Sequence, residues 1–330
     1  MELAEPLPWH AEAWTRLQAQ IRRQALPHAL LISGLPGLGK RRLAEQLAAA
    51  LLCEAGRNEL QACGRCRACR LLVQGAHPDL FVVTPEEEGR QVRVDQVRGL
   101  IDQLSLKSQY GGYRVGLIDP ADRMNAAAAN ALLKTLEEPP PGVVLLLVAA
   151  RPSLLPATIR SRCQQLTLSP PPAEQARAWL QAQATPGAEQ LLGLAAGAPL
   201  RAVELHAAKV QDRWRALLAT LQGLQAGRLG VVAAAAEWRE AGRETVPLLI
   251  AICADLARWL AGGEGRYGEG ERLRELAAAL DLAGLHDYLE LLLELRRHLE
   301  HPLNEQLLLE RAFAGWQAVA GGRRPSGRQQ

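Results

Sequence analysis

No stretch of the sequence is apolar for long enough to cross a bilayer, which argues against a helical membrane protein. The opening residues, MELAEPLPWH, lack the basic-then-apolar order of a secretory signal, so a cytoplasmic protein without membrane partners is expected. Lysine is scarce. Lys40, Lys107, Lys134 and Lys209 are the only ones, and arginine supplies nearly all the positive charge. Together with abundant alanine, leucine and proline, this reads as the codon usage of a GC-rich genome rather than as a binding device. Charge asymmetry is also missing, since a net charge of +3 is too small to argue for a nucleic-acid surface by itself. In a reducing compartment the six cysteines are not expected to form structural disulfides. There is no internal repeat.

What is present fits a soluble protein of two or three domains: 330 residues, 48% apolar and 22% charged. Residues 10 to 170 alternate strand-like and helix-like segments. The strand candidates are ALLIS (29–33), DLFVV (79–83), RVGLID (114–119), VVLLLVA (143–149) and CQQLTL (163–168). Helical patterns between them include RRLAEQLAAALL and AAAANALLKTLEE, the latter stopped by Pro139–Pro141. Near-continuous apolar strands alternating with helices predict a parallel sheet covered on both faces. The punctuation at SPPPAE (169–174) marks a boundary, giving an α/β domain over 1–168 and a small helical domain over 169–209. Long helical patterns then predict an all-α domain over 210–320, interrupted by a flexible connection, GGEGRYGEG (262–270). The last ten residues, 321–330, read as a disordered tail.

The stretch LLISGLPGLGKRRLAEQL (30–47) carries most of the chemistry. An apolar strand breaks into glycines, reaches Lys40 and opens into a helix, the order G-x-x-x-x-G-K-[ST] of a phosphate-binding loop. In such a loop, backbone N–H groups close around phosphates and the helix N-terminus adds positive potential. Gly34, Gly37 and Gly39 supply the turn, and Lys40 would reach the terminal phosphates. The last position fails. Arg41 stands where a serine or threonine would hold magnesium, and a guanidinium offers no hard oxygen. The alternative is a glycine-rich turn with no ligand. A second element of an ATPase site, a strand ending in an acid, is met by Asp119, but Pro120 follows it and can neither accept a proton nor orient a water. Asp119 is read either as a metal-linked acid or as a turn residue before a proline. Both departures count against hydrolysis and leave ATP binding doubtful.

A second motif is ALLCEAGRNELQACGRCRAC, which places Cys53 ahead of a C-x-x-C-x-x-C run through Cys63, Cys66 and Cys69. Four thiolates so closely spaced suit a closed tetrahedral structural zinc site with no catalytic position, inserted over 53–69. An iron–sulfur cluster and unliganded thiols are the alternatives, although the C-x₃-C-P continuation of a bacterial cluster motif is absent. Cys163 and Cys253 read as core residues.

The degenerate phosphate loop, the cysteine module, ANALLKTLEEPP (129–140) and LLPATIRSRCQQL (154–166) together resemble the bacterial clamp-loader AAA+ family. The resemblance covers residues 1 to about 210; beyond that only length and helical character agree. It implies an AAA+ P-loop domain, a helical lid and an all-α collar. It also implies a hetero-oligomeric ring that uses ATP to open a sliding clamp and place it on primed DNA. The implied partners are the ATPase gamma/tau subunits and the clamp-gripping delta subunit of the DNA polymerase III holoenzyme. Family members with an inactive nucleotide site act as stators. The resemblance further implies that Arg162, in the triplet Ser161–Arg162–Cys163, is an arginine finger serving a neighbour's ATP, with Arg160 as a nearby alternative. GAPLRAVEL is similar to the lid motif that carries a nucleotide-sensing arginine. Here Leu200 occupies that position and Arg201 falls one place late, so the role does not transfer.

Three readings follow: a non-hydrolysing assembly subunit, a working ATPase of the same fold, and a zinc-dependent DNA-binding module on a vestigial ATPase fold. Leu132, Leu133 and Leu136 are expected to face the core, while Lys134, Glu137 and Glu138 are either solvated charges or interface contacts. Arg98 and Lys107 are candidate DNA-phosphate contacts beside the simpler reading of a solvated face.

Overall fold

The computed structural model describes residues 6–56, 60–87, 90–263, 269–298 and 304–322. Most of the expected tail and the centre of the expected flexible connection lie outside these residues. The chain divides into two compact units, Met1–Gln183 with Ala196–Arg201, and Ala184–Ala195 with Ala202–Gln330.

The first unit is built on five parallel strands: β1 (Ala29–Ser33), β2 (Leu80–Val83), β3 (Arg114–Ile118), β4 (Val143–Ala149) and β5 (Gln164–Thr167). Their order across the sheet is β2-β3-β4-β1-β5. Each expected strand forms, to within a residue at either end. The apolar runs have a physical reason to be continuous, because alternate side chains enter different cores. Leu30 and Ile32 of β1, with Val144, Leu146 and Val148 of β4, join one core with α1 (Ala11–Arg22) and α2 (Lys40–Leu52). Ala29 and Leu31, with Val143, Leu145, Leu147 and Ala149, join the other. That second core is completed by α4 (Val94–Ser105) and α5 (Ala126–Glu137). Between α2 and β2 lies α3 (Arg67–Val73). Each leucine so buried contributes roughly 1.5–3 kcal/mol, and the buried polar residues of these strands stand at strand ends, Ser33 closing β1 and Arg114 opening β3.

Local chemistry sets the helix ends. Asn125 caps α5 by accepting from the Ala128 N–H at 2.8 Å. The helix stops at Glu137, before Pro139, and Leu132 and Leu136 are buried on its core face. Leu133 is half-buried and packs against that core. Beyond β4 come α6 (Ala157–Arg160), β5 and α7 (Ala173–Ala182).

The second unit is helical. It holds most of α8 (Pro199–Ala207), then α9 (Val210–Gln225), α10 (Val231–Glu237), α11 (Gly242–Leu260), α12 (Gly270–Ala277), α13 (Leu282–His298) and α14 (Glu305–Ala320). Its core is anchored by Trp214, Trp238, Tyr288, Phe313 and Trp316. Two of the indole N–H groups find acceptors on α9: Trp316 donates to the Leu221 carbonyl at 3.1 Å and Trp238 to Thr220 Oγ1 at 3.1 Å. Buried indoles with partners fix one arrangement of these helices. Among the described residues no helix is long and apolar enough to cross a membrane.

Candidate functional site: a phosphate loop, a cysteine cluster and an arginine

In a parallel sheet the loops after the strands open at one edge. The register sets Ser33 of β1 against Ala149 of β4, and Leu147 of β4 against Ile118 of β3. The loops following β1, β3 and β4 therefore converge.

The loop after β1 has the phosphate-loop shape. Gly34, Gly37 and Gly39 all take positive φ, and α2 starts at Lys40. The glycines are required. At Gly37, with φ 79°, a Cβ would stand 2.3 Å from Arg201 Cβ and 2.4 Å from the Arg201 backbone N. At Gly39, with φ 77°, a Cβ would stand 2.4 Å from a Leu7 methyl. Two carbonyls of the loop are already engaged. The Leu38 carbonyl accepts from Trp9 Nε1 at 2.9 Å and faces His10 Nε2 at 2.8 Å, while the Leu200 N–H donates to the Gly37 carbonyl at 3.2 Å. Burial lowers the His10 pKa, opposed by its bond to the Leu38 carbonyl.

Lys40 is buried, and its Nζ donates to the Leu35 carbonyl at 2.8 Å, within its own loop. Burial pulls its pKa down, with Asp119 and Asp122 opposing. Arg41 bridges two acids, with Nε 2.9 Å from Glu45 Oε1 and a terminal nitrogen 3.3 Å from Asp119 Oδ2. In an ATPase, the residue at position 41 and the acid after β3 hold magnesium from two sides. Here a guanidinium joins those two positions. Burial raises the Asp119 pKa, opposed by Arg41 and then Lys40. The end of β4 brings Ala149 and Ala150 to this edge, and neither carries a polar side chain that could orient a water. A further acid is Asp122, whose Oδ2 accepts from the Arg151 N–H at 2.8 Å and whose Oδ1 is buried without a partner.

The four cysteines come together. The sulfurs of Cys53, Cys63, Cys66 and Cys69 all lie within 4.8 Å of one another. A tetrahedron of zinc–sulfur bonds has edges of about 3.8 Å, so small side-chain adjustments would close the set on one ion. Backbone N–H groups already point at the sulfurs: Gly56 and Cys63 at Cys53 Sγ (both 3.3 Å), Cys66 at Cys63 Sγ (3.4 Å), and Cys69 at Cys66 Sγ (3.3 Å). Such donors stabilise thiolates. The backbone amides of Arg65 and Cys66 pull the Cys63 pKa down to about 6, while burial pushes Cys69 up. The donor set fits a soft or borderline metal ion.

Arg162 stands apart from both groups, just past α6. Its guanidinium donates to the Thr158 carbonyl at 3.0 Å and pairs with Glu137 Oε1 at 2.6 Å. Arg160, the alternative, has its Nε buried without a partner. Arg98 is exposed and weakly paired with Asp95 at 3.9 Å, and Lys107 is exposed. Sequence reasoning missed one feature here. A shallow cavity of about 430 Å³ lies at the starts of α4 and α5, lined by Arg90, Gln91, Arg93, Val94, Asp95 and Asn125. Its arginines are paired, Arg90 with Glu87 at 2.7 Å and Arg93 with Glu86 at 3.4 Å.

A glycine-rich loop between β1 and α2, on a five-stranded parallel sheet of this order, defines the AAA+ type of P-loop protein, here with a helical C-terminal region. The family described as DNA polymerase III, delta subunit, matches residues 9–172. The DNA polymerase III subunit delta' of Pseudomonas aeruginosa is 36% identical, over 97% of this chain and 99% of that one. The delta' subunit of Escherichia coli is 38% identical over 66% of this chain and 65% of that one. The chain belongs to the DNA polymerase III delta' family. The tau subunit of Escherichia coli is 37% identical over 53% of this chain and 28% of its own length. Among solved structures, a gamma subunit-related protein of Thermotoga maritima aligns at a TM-score of 0.46 and 19% identity, covering 94% of this chain and 99% of that chain.

Proposed function

We propose that this chain is a non-hydrolysing subunit of a clamp loader, which joins gamma/tau-type ATPase subunits and a delta subunit in a ring. It presents Arg162 to a neighbour's ATP while primed DNA receives the clamp. The observation that carries the reading is the Arg41–Asp119 ion pair, which sets a cation of the chain's own at the position where magnesium would be held. Lys40, turned to Leu35, and Ala149–Ala150 at the end of β4 support it. Arg162 is the more available of the two candidate fingers, since the Arg160 Nε is buried. A guanidinium supplied across an interface stabilises charge on a transferring phosphoryl group.

Residues 1–168, 169–209 and 210–320 serve in this reading as AAA+ module, lid and collar. Zinc is the metal proposed for Cys53, Cys63, Cys66 and Cys69, where it would lock the insertion without taking part in any reaction. A second reading, residual ATPase activity with Asp122 as the replacement acid, rests on its buried unpartnered Oδ1. The assembly claim is tested by mixing the pure chain with its organism's tau or gamma and delta subunits and measuring the mass by light scattering. A stable hetero-oligomer containing this chain is expected. Separate species at micromolar concentration would contradict it.

A further inference from the structure

Glu137, a charge of the LLKTLEE helix, has a defined partner across the fold. It is exposed at the C-terminal end of α5, beside the exposed Glu138, yet its Oε1 lies 2.6 Å from the Arg162 terminal nitrogen, 25 residues further along the chain. The two side chains are 50% and 35% exposed, so the pair is wet and its attraction is screened. The other terminal nitrogen of Arg162 donates to the Thr158 carbonyl at 3.0 Å and lies 3.4 Å from Ser161 Oγ. The guanidinium is thus anchored on one branch by backbone and held on the other by a removable carboxylate. A paired guanidinium is locally neutral and stabilises phosphate charge poorly. A triphosphate oxygen carries more charge than a carboxylate and offers the same fork geometry, so it can take the branch that Glu137 holds.

We infer that Glu137 is a positioning residue for Arg162: a resident counter-ion that keeps the guanidinium laid along the surface until a phosphate on the neighbouring subunit displaces it. The inference rests on the reading of Arg162 as a finger acting in trans. On this account Glu137 opposes engagement, and its removal shifts Arg162 toward the phosphate.

The test is a double-mutant cycle in the reconstituted complex with the organism's ATPase subunit, reading steady-state phosphate release with ATP. Glu137→Gln keeps the shape and removes the charge of an exposed side chain, so folding is not at stake. It is expected to raise turnover by about two- to fivefold, the range of a half-exposed ion pair. In an Arg162→Ala background the same substitution is expected to change nothing, because its only route is through Arg162. A merely structural role would give the same change in both backgrounds, and that outcome overturns the proposal. Unchanged or reduced turnover in Glu137→Gln, with Arg162→Ala still deleterious, overturns the role of Glu137 and leaves the finger standing. A silent Arg162→Ala removes the finger and the counter-ion together.

Discussion

Replacing Arg162 with alanine is expected to lower the ATP turnover of the assembled complex by ~10³ or more, the range over which trans-acting arginines accelerate phosphoryl transfer. The loss should fall on turnover, not on folding. The side chain is 35% exposed, and its bond to Glu137 is of the half-solvated kind that contributes only about 0–1 kcal/mol. The melting temperature of the isolated variant should match that of the parent, and its incorporation into the complex should be unchanged. Arg160→Ala is the control. Its guanidinium stem is partly buried, so it should affect stability before it affects turnover. A complex assembled with Arg162→Ala that keeps full DNA-stimulated turnover would remove the finger assignment.

The second large effect belongs to the cysteine cluster. Metal analysis of the purified chain is expected to return one zinc per chain, and apparent binding free energies for structural zinc are on the order of 10–16 kcal/mol at neutral pH. Where so much binding energy resides in a small insertion, removing the ion should release that insertion. A strong chelator, or Cys63→Ser with Cys66→Ser, should expose the segment around α3 to proteolysis. The sheet should stay folded, because the insertion and α3 give only the buried Leu60 and Leu72 to one of its two cores and nothing to the other. Iron with a visible charge-transfer band would overturn the identity of the metal. A chain insensitive to chelation at both the insertion and the melting temperature would overturn the site.

Much of this architecture was legible because its physics is local. A strand buried on both faces is nearly all apolar, so β1 and β4 stand out as ALLIS and VVLLLVA and form with the expected bounds. The end of α5 is written in Pro139–Pro141, and the start of α2 in Gly39. The shorter helices were not legible for a matching reason. Seven residues of VVAAAAE in α10, or eight in α12, span about two turns, too few for a period to declare itself. The start of α3 is hidden because Cys66 serves as its cap, accepting from the Cys69 N–H, and cysteine is not a residue that sequence rules expect there.

The site divides along the same line. Two faults, Arg41 for a hydroxyl and Pro120 after Asp119, can be read directly from the loop pattern. What Arg41 does cannot, because its partner lies 78 residues away and is reached only through the sheet order. The bonding of Trp9 to Leu38 and the pairing of Glu137 with Arg162 are long-range in the same way, and no motif announces either. Sequence patterns report which parts a site has lost; only the fold shows what has moved into their place.

The central claim is that the chain's own phosphate loop has ceased to work as an ATPase while the chain still completes a neighbour's site. The most direct measurement is steady-state phosphate release from the pure, isolated chain with magnesium and ATP, compared with the Lys40→Ala variant. The account predicts no turnover above background in either protein, because Arg41 already pairs with Asp119 and no side chain at the end of β4 can direct a water. Turnover in the parent chain that is abolished by Lys40→Ala would contradict it and would make this a working ATPase.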